Sequence, residues 1–166
     1  IEAYFEVVVG AKYEDMYHNP ILTGMHPDPS IVRVGEDYYM VNSSFQYFPS
    51  IPISHSKDMV HWHSIGHAIT NPDWLDISDI RDSHGIWAPD IEYVDGKYYI
   101  YATLRLNADG KRDNNVMRRQ LVMVSDKPEG PYSKPVCIEV DDIDPSLFVD
   151  DDGSRYMVIA KAARTY

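Results

Sequence analysis

The sequence predicts an all-β chain built as part of a β-propeller, on three observations: a hairpin motif that occurs three times, turn-rich links at matching places within the repeats, and an aromatic bias that favours strands. The first copy of the motif is Asp28-Pro29-Ser30-Ile31-Val32-Arg33-Val34-Gly35-Glu36-Asp37-Tyr38-Tyr39-Met40-Val41. The second runs from Ala88-Pro89-Asp90-Ile91 through Val94-Asp95-Gly96-Lys97 to Tyr98-Tyr99-Ile100-Tyr101, and the third from Asp144-Pro145-Ser146-Leu147 through Asp150-Asp151-Asp152-Gly153 to Tyr156-Met157-Val158. Each reads as an apolar strand, a turn whose glycine supplies a positive φ, and an alternating aromatic strand, which together make a β-hairpin.

Two more strands fit in each interval. In the first unit they are residues 51–56 and 61–66, and in the second 120–125 and 132–136, joined by the turn-rich segments 57–60 and 126–131. Pro29, Pro89 and Pro145 lie about 55 to 60 residues apart, a propeller-blade period. A four-stranded sheet of this kind buries its faces by stacking on the next sheet around an axis. The chain supplies about two and a half such blades where a closed propeller needs at least about four, so blades are expected to follow it. Unpaired sheet edges seek partners, and this chain alone is expected to self-associate.

Bulk composition narrows the function. The chain has 166 residues, 44% of them hydrophobic, enough for a real core. Its 13 Tyr, 4 Phe and 3 Trp suit strands and sugar-binding surfaces. A net charge of −11 argues against a nucleic-acid or anionic-membrane partner, and a neutral substrate fits better. The basic residues Lys111, Arg112, Arg118 and Arg119 are interrupted by Asp113 and read as a solvated loop. The single Cys137 rules out an intrachain disulfide and reads as a small buried hydrophobe on a strand. No apolar run approaches a membrane span, and Ile1–Gly10, with two Glu and no basic segment, does not read as an intact signal peptide. The compartment and the role of residues 1–17 are left open by the sequence.

Each repeat opens where the innermost strand of a blade begins, near the axis at which propellers place their sites. Two of the three positions before the repeated Pro are acids, Asp28 and Asp144; the third is Ala88. An isolated Asp before Pro is ordinarily a turn residue that caps nearby amides, and Asp37, Asp95 and Asp150 to Asp152 are read that way. Asp28 and Asp144 differ because the repeat sends both to one axial pocket. Two converging carboxylates suit glycoside hydrolysis, in which one group activates water and another protonates the departing oxygen.

With His26-Pro27-Asp28-Pro29-Ser30, Ser43-Ser44-Phe45, residues 53–58, Trp62, Gly85-Ile86-Trp87-Ala88-Pro89-Asp90 and Ile143-Asp144-Pro145-Ser146-Leu147-Phe148 in order, the chain from about Asn19 to Val158 resembles glycoside hydrolase family 43. The resemblance implies a five-bladed propeller of the β-xylosidase or α-L-arabinofuranosidase type, of which this is the N-terminal portion. It makes Asp28 the general base, Asp144 the carboxylate that raises the acid's pKa and orients the sugar, and Phe45, Trp87, Ala88 and Ile143 the wall of the sugar pocket. The implied reaction inverts the anomeric centre. The implied substrate is a xylan-derived oligosaccharide that loses xylose, with arabinofuranose as a second candidate, from its non-reducing end. Residues 43–49 followed by 53–58 look closer to the xylosidase branch than to endo-arabinanases. Ordinary blade packing is an equally good reading of Phe45 and Trp87, while Trp62 and Trp74 are read as structural or peripheral.

The family's general acid is a Glu on a later blade, which this sequence does not reach, and Glu129 is read as a loop residue. His61, His63 and His67 have strand-like spacing without a Glu partner, and no H-E-x-x-H cluster appears, so no metal ligand is assigned. No cofactor is required; a calcium ion is compatible with the family, but its ligands would lie outside this chain. Two other classes stand beside the enzyme: a non-catalytic sugar-binding or structural half-propeller, and the five-bladed fructan and sucrose hydrolases. The Trp/Met-Asn-Asp-Pro-Asn setting of the latter is not matched by Met25-His26-Pro27-Asp28-Pro29-Ser30.

Overall fold

The computed structural model describes residues 16–107 and 118–161. Lys111, Arg112, Asp113 and the stretch before Met16 lie outside the described residues. Among the described residues ten strands form three antiparallel sheets. The first sheet holds β1 (Ser30–Val34), β2 (Asp37–Val41), β3 (Ser50–Ser56) and β4 (His63–Ile69) in chain order. The second repeats the order with β5 (Gly85–Val94), β6 (Lys97–Arg105), β7 (Arg118–Ser125) and β8 (Val136–Ile138), and the third pairs β9 (Ile143–Val149) with β10 (Arg155–Ala160). The first strand of the second sheet packs against the first strands of both others. The three sheets are therefore successive copies joined along their leading strands.

The hairpin turns form as their residues require. Gly35 at φ +63°, Asp95 at +50° with Gly96 at +79°, and Gly153 at +83° take the left-handed conformation that reverses the chain. Val41, Ile51, Ile53, Ala68 and Ile69 of the first sheet and Ile86, Ile91, Ile100, Leu104, Leu121 and Met123 of the second meet in one apolar cluster. Each of these side chains is at most 3% exposed, so this layer is the dry core of the chain.

Two strand boundaries differ from expectation. The fourth strand of the first sheet starts at His63 rather than His61, because Asp58 Oδ1 accepts from the N–H groups of Val60 and His61 and holds them in a turn. In the second sheet the segment predicted as strand 132–136 contributes only Val136 onwards. Ser133 bonds back to Val124 through both backbone and hydroxyl, and Pro135 has no N–H to give a ladder.

Three residue readings are corrected as well. Cys137 lies on a strand but is exposed, since β8 is the outer edge of its sheet and nothing covers it among the described residues. Asp37 does not cap its turn; it heads β2 and accepts from His55 Nε2 at 2.5 Å and Lys57 Nζ at 2.9 Å. Lys57 first and His55 second hold its carboxyl below the usual range. Arg118 and Arg119 are not free loop cations, being strand residues paired with Asp141 and Glu139.

Candidate functional site

Asp28, Ala88 and Asp144, the three residues before the repeated prolines, share one backbone conformation: φ is +49°, +34° and +56°. A following proline pushes its predecessor toward extended geometry, so a left-handed residue there is strained by roughly 1–3 kcal/mol and persists only where its surroundings fix it. In the second and third sheets the device is a β-bulge. The leading strand advances three residues, Trp87 to Asp90 or Ile143 to Ser146, while its partner advances two. The bulge takes the residue before the proline out of the ladder at the head of these two leading strands.

What fixes Asp28 is Ser43, just after β2. Its hydroxyl accepts from Ala88 N at 2.7 Å, so its single proton is directed to Asp28 Oδ2, 2.5 Å away. Ser43 N and Asn42 Nδ2 both donate to Pro27 O at 3.1 Å and hold the turn that precedes Asp28. One serine thus ties the first acid to the second sheet's bulge.

Asp144 is held from the other side. Its N–H donates to Thr103 Oγ1 at 3.0 Å, Thr103 donates to Gln120 Oε1 at 3.0 Å, and Gln120 Nε2 donates to the carbonyls of Val140 and Asp142. Thr103 and Gln120 are fully buried on β6 and β7, where paired polar groups lock a geometry that apolar ones would leave loose. Partial desolvation pushes the Asp144 carboxyl up, and the negative charge of Asp28 pushes it further. The two acids are therefore within electrostatic reach of each other.

Phe45 is stapled beside them. Its N–H and C=O exchange hydrogen bonds with Ile86, both at 2.9 Å, and it sits at φ +48°. Gly85 makes the approach feasible: a Cβ there would lie 2.1 Å from the Phe45 carbonyl oxygen. Trp87 follows, with its indole N–H on Ser83 O at 2.7 Å, and the Ser83 N–H in turn donates to Gln46. Asp28, Phe45, Trp87 and Ala88 are thereby brought together by direct bonds between the first two sheets. Ile143 lies half-buried at the start of β9, next to Asp144.

The remaining candidates lie elsewhere. Trp62 bonds Met59 O on the outer turn, and Trp74 packs against the core from a short 3-10 turn at Pro72–Trp74. Glu129 sits in the β7–β8 turn and lines a different cavity of about 350 Å³ with Asp37, Tyr39, His55, Ile65 and Pro128. His63 meets His55 at 3.1 Å and His61 meets Asp58; burial pushes the His67 pKa down. Among the described residues no three His, Cys, Asp or Glu side chains are grouped to hold a metal ion.

A model of glycosyl hydrolases family 43 matches residues 17–165. The chain belongs to glycosyl hydrolase family 43. A family 43 protein of Bacillus licheniformis, known from its crystal structure, is 62% identical, with a TM-score of 0.80 over 88% of this chain and 29% of its own. The xylan β-1,4-xylosidase of Bacillus halodurans is 39% identical, with a TM-score of 0.78 over 86% of this chain and 27% of its own. By sequence, a xylan 1,3-β-xylosidase of a Vibrio species is 44% identical over 141 residues, and a non-reducing end α-L-arabinofuranosidase of Bacteroides ovatus 43% over 144. These alignments take in 84% and 86% of this chain, which spans 26% of the length of either relative.

Within this family 43 chain, several residues of the site escape sequence reasoning. Ser43 stands inside the Ser43-Ser44-Phe45 motif with no role that the sequence assigns. Thr103 carries a signal of its own, as a polar residue between Ala102 and Leu104 inside β6, whereas Gln120 follows Arg118 and Arg119 and nothing in the sequence sets it apart. Asp90 reads only as part of the repeat, yet it joins all three leading strands, accepting from Ser30 Oγ at 2.8 Å and Leu147 N at 3.3 Å.

Proposed function

We propose that this chain is the N-terminal part of a catalytic five-bladed propeller, about two and a half blades with repeats starting near 28, 88 and 144. In this reading it hydrolyses xylan-derived oligosaccharides, releasing xylose and, as a second substrate, arabinofuranose from non-reducing ends. The observation that carries the reading is that Asp28 and Asp144 stand at matching positions, each held at strained φ by a dedicated hydrogen bond, with the charge of Asp28 raising the Asp144 pKa. Strain kept up at matching positions by dedicated hydrogen bonds is characteristic of a working site.

Asp28 acts as general base. Ser43 occupies Oδ2, which leaves Oδ1 to take a proton from the water that attacks the anomeric carbon opposite the leaving group. Asp144, with its raised pKa, modulates the general acid and orients the sugar hydroxyls. Phe45 and Trp87 give the C–H face of the sugar its apolar wall, with Ala88 and Ile143 beside them. The acid is a Glu downstream of this sequence, and Glu129 is not its substitute, given its place in another cavity. No cofactor is needed for this chemistry. The apolar residues Phe148, Val149, Tyr156 and Val158 stand exposed on β9 and β10, which supports self-association of the chain on its own.

The test is hydrolysis of two xylosides by this chain. Xylobiose needs its leaving alcohol protonated; a dinitrophenyl β-xyloside does not. Turnover of the aryl substrate alone, lost in Asp28→Ala, is the expected result. Turnover of both would place the acid within this sequence. Turnover of neither would favour a non-catalytic sugar-binding module.

A further inference from the structure

Arg105 ends β6, opposite Gly85 on one side and Arg118 on the other. Strand alternation puts its side chain on the same face as Thr103 and Trp87, beside the residues that hold Asp144. Its neighbours Arg118 and Arg119 are neutralised by Asp141 and Glu139. Arg105 is paired with no carboxylate among the described residues, and its Nε is buried without a hydrogen-bond partner. Burial pushes its pKa down, and the Arg118 charge adds to that.

A half-buried guanidinium with an unsatisfied N–H is destabilising, and an apolar side chain of similar length would fill the same space at lower cost. Its strong compensating contact is with Trp87: the guanidinium carbon lies 4.6 Å from the ring centroid, well inside cation–π range. The indole N–H is already tied to Ser83 O. The ring is thus pinned at one face by a cation and at one edge by a hydrogen bond, which fixes its plane.

We propose that Arg105 is the positioning residue for Trp87, holding the indole plane at the orientation in which a sugar stacks on it. This rests on the reading of Trp87 as a wall of the sugar pocket. Arg105 makes no contact with the reacting atoms; it acts through the ring.

A double-mutant cycle on xylobiose affinity, read by titration calorimetry of the chain, tests the proposal. Arg105→Met, which keeps the aliphatic stem, is expected to weaken binding about threefold to tenfold in the wild-type background and less than about twofold in a Trp87→Leu background. Arg105→Lys, which keeps a cation over the ring, is expected to restore affinity to within about twofold of wild type. If Arg105→Met does not fold, Arg105→Gln takes its place in the cycle. Equal losses in both backgrounds, no loss in either, or no rescue by Lys would overturn the role of Arg105. A Trp87→Leu variant that binds xylobiose as well as wild type would instead overturn the sugar-wall reading on which it stands.

Discussion

Gly85→Ala is expected to be among the most damaging single-methyl additions in this chain. The added Cβ would lie 2.1 Å from Phe45 O, 2.5 Å from Phe45 C and 3.0 Å from Gln46 N, all backbone atoms that cannot rotate away. Relief requires the Phe45 segment to leave Ile86, which breaks the two hydrogen bonds between them at about 0.5–1.5 kcal/mol each. The φ of +92° adds about 1–2 kcal/mol for any L side chain. Together these give a loss of about 2–5 kcal/mol. Gly24 is the internal control, since it has nearly the same φ, +100°, with nothing within 4 Å of where an added methyl would sit. Gly24→Ala should cost only the conformational part, about 1–2 kcal/mol. Urea unfolding of both variants, followed by circular dichroism, measures the difference. Equal destabilisation would refute the idea that close approach at Gly85 braces the Phe45–Trp87 wall.

Two further predictions concern the acids. Thr103→Val keeps shape but removes the hydroxyl between Asp144 N and Gln120 Oε1, stranding a buried acceptor. It should lower unfolding free energy by about 2–3 kcal/mol, read by urea denaturation, whereas a loss below about 0.5 kcal/mol would contradict the network's role. Asp28→Asn removes the second cause of the raised Asp144 pKa and leaves desolvation, the first. The Asp144 carboxyl should then titrate lower than in wild type but still above the usual value, followed by carboxyl carbon NMR. The sign for stability is fixed by the same shift: folding favours protonated Asp144, so its contribution is lost as pH rises from the ordinary Asp range through the raised folded value. Asp28→Asn should narrow that window, and an unchanged titration would show that the acids do not sense each other.

The parts of the fold legible in the sequence are those set by local pattern. Alternation along Ile31–Val34, the aromatic run Tyr98–Tyr101, and glycine at Gly35, Gly96 and Gly153 specify the hairpins without reference to anything distant. Cys137 reads as buried because its neighbours are as apolar as core residues, and only the sheet order makes β8 an uncovered edge. The matching placement of Asp28 and Asp144 before the repeated prolines is visible in the sequence, but not what holds them. Ser43 and Ala88 are 45 residues apart, and Thr103 and Asp144 are 41 apart. Such bonds depend on how sheets stack, which no local window encodes. The same holds for Gly85, whose need for the missing side chain arises from Phe45 on the segment after the first sheet's second strand.

The most direct test of the central claim is amide NMR of the chain during titration with xylobiose. Binding at the heads of the leading strands predicts shifts clustered at Asp28, Ser43, Phe45, Trp87, Ala88 and Asp144, with the Trp87 indole N–H among the largest. Shifts confined to Asp37, Tyr39, His55 and Glu129, around the other cavity, or no shifts at all, would contradict it.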